Sequence, residues 1–447
     1  VLHVYDIAQQ PVDEQSAADW SMAWSALAAI TNYDVLPMSK EEVLEYFRAS
    51  ESPSGSAGFP YTCASKGEAL TPEEFELWWD WHQKLVSGEK VDDVYFTLGL
   101  KRELLKPEKI AARATRHILN APLYLHLSCI AIFGRFAEAF YADTDSYSQV
   151  GKTMYYGGWD RMLKRCSQFA RNGIGCGDVQ GCDVSQQELT FQHYRNFFKA
   201  RSDSSQHVAI DRIFDLAQHS LIITSDGVVY QKCGSNPTGW FLTIIVNTLC
   251  VVSLLLAWYR RQCISSGILL PSHTVTEFVD EALCNFASIN IGDDWACSCA
   301  HASIDVRTQT AYFATLNFRA HEVSVVHRPE EVSFCGASRS VILNGHYLRI
   351  PRLDKMMCRL QYSEKTTPAL VWEKACGILL VVWPSKPHRD FVNSFLDYLK
   401  RRFGGAVNLN SRLSNQSIYR LYTGVECVDE RLASDQVGLL ERWAHEY

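Results

Sequence analysis

The sequence predicts an α+β fold, and three observations predict it. Helical stretches and strand-like runs are mixed without the regular strand–helix alternation of a doubly wound sheet. Short apolar runs turn back on themselves at Asp226-Gly227 and Gly292-Asp293, as antiparallel hairpins do. And 47% of the 447 residues are hydrophobic, enough to bury a sizeable core, which excludes a disordered segment or a small disulfide-stapled scaffold. At roughly 150 residues per domain, the length corresponds to about three domain-sized units.

Residues 70–90 (LTPEEFELWWDWHQKLVSGEK) open on Thr71-Pro72-Glu73-Glu74 and close at Gly88, the start and stop signals of a helix. Further helices are expected over 185–200 and 240–260. Residues 221–230 (LIITSDGVVY) read as two strands around Asp226-Gly227. A hairpin is expected around Ile289–Trp295 with Gly292-Asp293 at its tip, and 332–350 reads as strands with Asn344-Gly345 as the turn. The last hundred residues read as helical, above all 371–402, where Lys400, Arg401 and Arg402 precede Gly404-Gly405. There are no internal repeats and no low-complexity tracts.

The formal net charge is −7, which taken whole argues against a nucleic-acid partner. Its distribution does not: residues 1–100 carry 17 acidic and 5 basic side chains, residues 101–447 carry 33 and 38. The body of the chain is basic, and the acidity of the first hundred residues is expected on an outer surface. The 15 cysteines are scattered with no Cys-x-x-Cys pair, so reduced thiols in a cytosolic protein are expected. The N-terminal VLHVYDIAQQPVDEQ lacks the basic and long apolar stretches of a signal peptide. Residues 237–259 (PTGWFLTIIVNTLCVVSLLLAWY) carry no charge and precede Arg260 and Arg261. By length they could span a bilayer or form a helix buried on all sides.

Several clusters of residues suggest chemistry. Gly292-Asp293-Asp294 sets two adjacent carboxylates at a turn between apolar residues, where like charges and partial burial disfavour ionisation. A divalent cation, Mg²⁺ above all, would offset that; the alternative is a solvated hairpin tip. Asp183, with Glu188 five residues on, reads as a metal ligand with a nearby substrate contact or as acids favoured at a helix start. The glycines before it (Gly173, Gly175, Gly177, Gly181) lack the strand and helix offsets of a dinucleotide loop. Ser235-Asn236-Pro237-Thr238-Gly239 feeds the apolar helix, whose Thr243 and Asn247 share a face. Lys101, Arg102, Lys106, Lys109, Arg113 and Arg116 form a basic run, and Ser54–Tyr61 (SGSAGFPY) is a small-residue loop.

Taken in order, these motifs resemble those of the RNA-dependent RNA polymerases of positive-strand RNA viruses, in the style of the picornavirus, sobemovirus and astrovirus enzymes. The resemblance covers most of the chain from about residue 54 to residue 340. SAGFPY resembles the loop that guides the template, so Ser56, Gly58 and Pro60 are expected there. Lys101, Glu103, Lys109, Arg116 and Ile118 fall at spacings similar to the fingertip motif that holds the triphosphate. Asp183 and Glu188 look like the first palm motif, and Thr238, Gly239, Thr243 and Asn247 like the second. Gly292-Asp293-Asp294 matches the third, and Phe334, Cys335 and Gly336 resemble the primer grip.

The resemblance implies a right hand: fingers over 1–175 (fingertips about 95–120) and 201–234, palm over 176–200 and 235–345, thumb over 346–447. The palm sheet would be antiparallel and packed on helices. It further implies addition of ribonucleotides to an RNA 3′-hydroxyl by two-metal catalysis, with Mg²⁺ or Mn²⁺ held by Asp183, Asp293 and Asp294. Lys101, Lys109 and Arg116 would bind the triphosphate. Glu188, Thr243 and Asn247 would read the ribose 2′-hydroxyl. The partners implied are an RNA template, nascent RNA, ribonucleoside triphosphates, a protein primer and other viral replication proteins. The setting implied is the host cytoplasm, in membrane-associated replication complexes. On this reading the apolar helix belongs to a palm core and is not a membrane span.

Three departures from the family's pattern stand out. Glu188 occupies a position usually held by Asp. Ala114 stands where relatives often carry a basic residue, beside Arg113. No Lys occurs between Trp295 and Asp354, where relatives keep one as general acid; Arg319, His321 and His327 are the substitutes, and His321 is favoured because histidine titrates near neutrality. The alternatives are a reverse transcriptase of related architecture, against which Asn247 argues, and a membrane-anchored replication scaffold using 237–259 as a span.

Overall fold

Capping chemistry places the first expected helix. The computed structural model describes residues 10–50, 52–61, 63, 65–101, 107–111, 115–361, 367–404 and 415–425. Within 70–90 the helix runs Pro72–Ser87: Thr71 Oγ1 accepts from the Glu74 N–H, Pro72 opens the first turn, and Gly88 closes the last one at φ +82°. The second and third run Glu188–Ala200 and Thr243–Ser265. The helical stretch 371–402 is divided into Pro368–Val382 and Lys386–Phe403. The break falls at Pro384, which has no N–H to continue the helical ladder, and at Ser385, whose backbone is extended.

Four antiparallel strands form the central sheet, in the order Phe286–Ile291, Asp294–Cys299, Ile174–Gln180, Arg319–Val326. The first two are the expected hairpin, turning at Gly292-Asp293 with Gly292 at φ +62°, a backbone that favours glycine. The glycine-rich run before Asp183 has a packing explanation. Gly175 and Gly177 lie under the buried Trp295 ring, and a Cβ on Gly177 would stand 3.0 Å from that ring and 3.2 Å from the His321 carbonyl. Helix Thr243–Ser265 covers the hairpin strands, and Trp258, Tyr259 and Phe286 are among the buried rings between them.

A second four-stranded sheet has the order His117–Asn120, Tyr95–Leu100, Leu221–Ile223, Val229–Gln231, in which the middle pair is parallel. The 221–230 hairpin is thus present, with its turn at 224–228. A separate hairpin, Ala337–Leu343 with His346–Pro351, turns at Asn344-Gly345, both at positive φ. The C-terminal helices enclose their own cluster around Trp372, Val392 and Leu396, and Lys400, Arg401 and Arg402 are exposed on it.

Burial inside the protein accounts for the apolar run. Every residue from Ile245 to Arg260 is buried. Helix Glu14–Ile30 packs along it: the Trp20 indole donates to Ser253 Oγ at 2.8 Å, and the fully buried Asp19 pairs with both Arg260 and Arg261. Asp19 departs from the expectation that the N-terminal acidity faces outward; Glu41, Glu45, Glu73, Asp80, Asp92 and Asp93 follow it. The cysteines of the described residues are free thiols.

Candidate active site

Sheet register builds an acidic row. Asp178, near the end of strand Ile174–Gln180, is the cross-strand partner of Asp294 on one side and of His321 on the other. Partners on neighbouring antiparallel strands project to the same face. The His321 pairing depends on a bulge. Between the pairs Cys176–Ser324 and Asp178–His321, strand Arg319–Val326 carries one extra residue, and Glu322 takes φ +48° to accommodate it. His321 Nδ1 then lies 2.9 Å from Asp178 Oδ1. Asp293, at the hairpin tip, accepts the Val179 N–H on its backbone carbonyl at 3.1 Å, which ties the tip to the strand beside it.

Asp183 lies beyond the strand that carries Asp178. The strand stops at Gln180, Gly181 turns the chain at φ +61°, and Asp183 lies in the single helical turn Cys182–Ser185. There Asn247 Nδ2 donates to Asp183 Oδ1 at 2.6 Å. Asn247 Oδ1 in turn accepts from Gln186 Nε2 at 2.7 Å and from Asn236 Nδ2 at 2.9 Å, which fixes the amide's orientation. Gln186 is held by the Tyr194 hydroxyl and Asn236 by the Trp240 indole, both at 2.7 Å. Glu188 opens the next helix and points elsewhere: its carboxylate takes Gln218 and Gln192.

The long helix also grips the hairpin tip. Thr248 Oγ1 accepts the Gly292 N–H at 2.8 Å, one residue from Asp293. Thr243, expected on the ribose, closes its own loop instead, with Oγ1 2.9 Å from Pro237 O and 3.0 Å from Trp240 O. Thr238 and Gly239 attach that loop to the second sheet. Thr238 Oγ1 accepts the Leu119 N–H and donates to His117 O, and Gly239 O accepts the Ala121 N–H.

Of the other expected residues, Cys335 reaches the acids: its thiol donates to Asp294 Oδ2 across 3.6 Å, while Arg349 holds the Cys335 carbonyl at 2.7 Å. Phe334 is buried against Trp159, and Gly336 takes φ +75°. Lys101 and Arg116 are joined through their backbones, Lys101 N–H to Arg116 O at 2.9 Å. Lys109 falls in the short turn Pro107–Ala111, and its side chain, like Arg102, Glu103 and Arg113, lies outside the described residues. Ser56 and Pro60 are exposed and Gly58 is buried beside Ala121, in a loop whose Tyr61 hydroxyl is bonded to Glu74.

Burial and crowding govern the electrostatics. Burial raises the Asp183 carboxyl pKa; the Asn247 bond opposes the rise and the Asp293 charge adds to it. Burial also raises Asp293, helped by Asp178 and opposed by the cationic Arg116 and Lys101. Asp294 is pushed up to about 6 by burial and by the charges of Asp293 and Asp178. Among the described residues, no three His, Cys, Asp or Glu side chains converge into a complete metal-ligand set.

Sequence reasoning gave no site role to Asp178, Gln186 or Thr248, and noted Asn236 only as part of the loop before the apolar helix. A signal for Asp178 was present: it stands five residues before Asp183, the spacing at which Glu188 follows Asp183. In the sheet it is Asp178, not Asp183, that pairs with Asp294.

Buried carboxylates on antiparallel strands, with cations close enough to shift them, make a site suited to a polyphosphate held through a divalent cation. Comparison with known proteins makes the class specific. Residues 7–400 match the viral RNA-dependent RNA polymerase family, and the chain belongs to that family of RNA-directed nucleotidyltransferases. It is 28% identical over 214 residues to genome polyprotein 1 of Barley mild mosaic virus (strain Na1), covering 47% of this chain and 9% of that one. It is 24% identical over 351 residues to the genome polyprotein of Plum pox potyvirus (isolate NAT), covering 75% and 10%. With the genome polyprotein of Soybean mosaic virus (strain N) it shares 24% over 309 residues, covering 67% and 9%. The chain spans about a tenth of the length of these relatives. Family membership favours neither a reverse transcriptase nor a membrane scaffold.

Proposed function

We propose that this chain carries out template-directed RNA synthesis, joining ribonucleotides to an RNA 3′-hydroxyl with release of pyrophosphate. The observation that carries the reading is the pairing of Asp178 with Asp294 beside Asp293, together with the separate bond between Asp183 and Asn247. Two functions are thereby divided between two acids five residues apart. Asp178 and Asp293 are the metal ligands and Asp294 assists. Asp183 and Asn247 read the ribose 2′-hydroxyl, the role expected of Glu188 and Thr243.

Bound Mg²⁺ or Mn²⁺ supplies charge neutralisation at the attacking and departing oxygens. Arg116 and Lys101 bind the triphosphate, a role supported by their effect on Asp293; Lys109 joins them on the family resemblance alone. His321 orients the Asp178 carboxylate through Nδ1, so the general-acid role expected of it becomes a positioning role. The right-hand assignment follows the same reading: central sheet and long helix as palm, second sheet and N-terminal helices as fingers, C-terminal helices as thumb. The loop of Ser56, Gly58 and Pro60 contacts template, Thr238 and Gly239 brace the palm against the fingers, and Phe334-Cys335-Gly336 meets the primer end. A protein primer and other replication proteins are its partners, and host-cytoplasmic replication complexes its setting.

Extension of an RNA primer on an RNA template by the purified chain tests the reading. Incorporation should require a divalent cation, prefer ribonucleotides, and disappear in Asp293→Ala. Unimpaired synthesis by that variant would overturn it.

A further inference from the structure

We propose that Lys232 is a positioning residue for sugar recognition: its ammonium clamps the turn at Gly234-Ser235, which holds Asn236 and the Asp183–Asn247 pair in register, and so sets discrimination between ribose and deoxyribose. The inference rests on the polymerase reading above and assigns a determinant outside its contact residues.

Lys232 is 4% exposed. Its three N–H bonds go to backbone carbonyls: Ala217 O at 3.0 Å, Gly234 O at 2.5 Å, and Ser235 O. An ammonium taken out of water is costly to keep, and burial pushes this one down to about 7. What the charge accomplishes there is local. Gly234 and Ser235 are consecutive residues at positive φ, +77° and +63°, and Ser235 has a side chain that disfavours that backbone. The carbonyls that Lys232 gathers are those of these two residues. Ala217, at the end of helix His207–Gln218, supplies the third and anchors the clamp to a rigid element.

The clamped turn presents its other side to the sugar-reading residues. The Ser235 N–H donates to Gln186 O, and the Asn236 N–H donates to Asp183 O at 2.8 Å. Asn236 Nδ2 reaches Asn247 Oδ1 at 2.9 Å. Two donors on Asn247 Oδ1 decide which end of that amide faces Asp183. Release of the turn removes one donor and frees the segment carrying Asp183. A site built to hydrogen-bond a hydroxyl discriminates only while its own groups are held in place.

Single-nucleotide extension on an RNA primer–template, with a ribonucleotide and its matching deoxyribonucleotide, tests this in the full chain. Lys232→Met removes the donors at similar volume. The ratio of kcat/KM for ribose over deoxyribose should fall about tenfold or more, chiefly through a raised ribonucleotide KM, while primer–template affinity stays at the wild-type value. Lys232→Gln keeps an amide donor and should recover part of the ratio. If Lys232→Met does not fold, as judged by its melting curve, Lys232→Gln alone should still fall below the wild-type ratio. A folded variant with the wild-type ratio overturns the proposal. Wild-type chain without ribonucleotide-dependent synthesis overturns the polymerase reading and this proposal together. Wild-type discrimination that persists in a folded Lys232 variant overturns this proposal alone.

Discussion

Asp183 and Asn247 lie 64 residues apart and are joined by a 2.6 Å hydrogen bond from Asn247 Nδ2 to Asp183 Oδ1. On the proposed reading, that bond commits Asp183 to the sugar rather than to the metal. A carboxylate oxygen engaged by an oriented amide, and raised in pKa by burial, is suited to sensing a hydroxyl. Asp178 keeps the register with Asp294 that a shared cation requires.

The two acids should therefore fail differently. Asp178→Asn should lower ribonucleotide incorporation about 10²–10³-fold or more at any nucleotide concentration, as removal of charge-stabilising groups does. Asp183→Asn should retain synthesis and lose preference for ribose over deoxyribose. Steady-state kinetics with both sugars on each variant distinguish them. The reverse pattern would restore Asp183 as the metal ligand.

Thr248→Val should destabilise the chain by about 1–3 kcal/mol, because the Gly292 N–H loses its acceptor inside the protein. Since Gly292 adjoins Asp293, kcat should fall with stability. Thermal melting and extension assays read the two effects, and a variant with wild-type melting would show that water takes over the bond.

Metal binding should be linked to pH with a definite sign. Asp294 moves from 3.8 up to about 6 in the folded chain. Across that window the folded state binds a proton that the unfolded state has released, so metal-free stability falls as pH rises through it. Above it the cluster is charged and a cation offsets the repulsion. Added Mg²⁺ should raise the melting temperature more at about pH 7.5 than at about pH 5. An equal rise at both would exclude the cluster as the binding site.

For His321→Gln, the Mg²⁺ concentration needed for half-maximal synthesis should rise about tenfold, within the range typical of partners that orient a metal ligand. The rate at saturating Mg²⁺ should change less. A large loss of rate at saturation with an unchanged metal requirement would return His321 to the general-acid role.

Much of the fold was legible because local chemistry writes it into neighbouring residues. Thr71-Pro72 and Gly88 bound one helix, Gly292 and Asn344-Gly345 bound two hairpins, and each signal acts within a few residues. The apolar helix was legible as a helix from its own residues and as a buried one only through the family resemblance; Asp19, Trp20 and the central sheet are what cover it. Glycines 175 and 177, whose offsets exclude a dinucleotide loop, make room for Trp295, which sequence spacing does not reveal.

The sequence by itself determined the presence of the site: carboxylates at 183 and 293–294, Asn247 on the apolar helix, cations at 101 and 116. The proposed division of roles among the carboxylates rests on tertiary structure alone. Asp178, Asp183 and Glu188 follow one another at the same interval, so spacing alone treats the frames 178–183 and 183–188 alike. Sheet register breaks the tie by setting Asp178 between Asp294 and His321, and the long helix completes it by committing Asn247 to Asp183. Those choices depend on contacts between residues more than sixty positions apart, which no local pattern encodes.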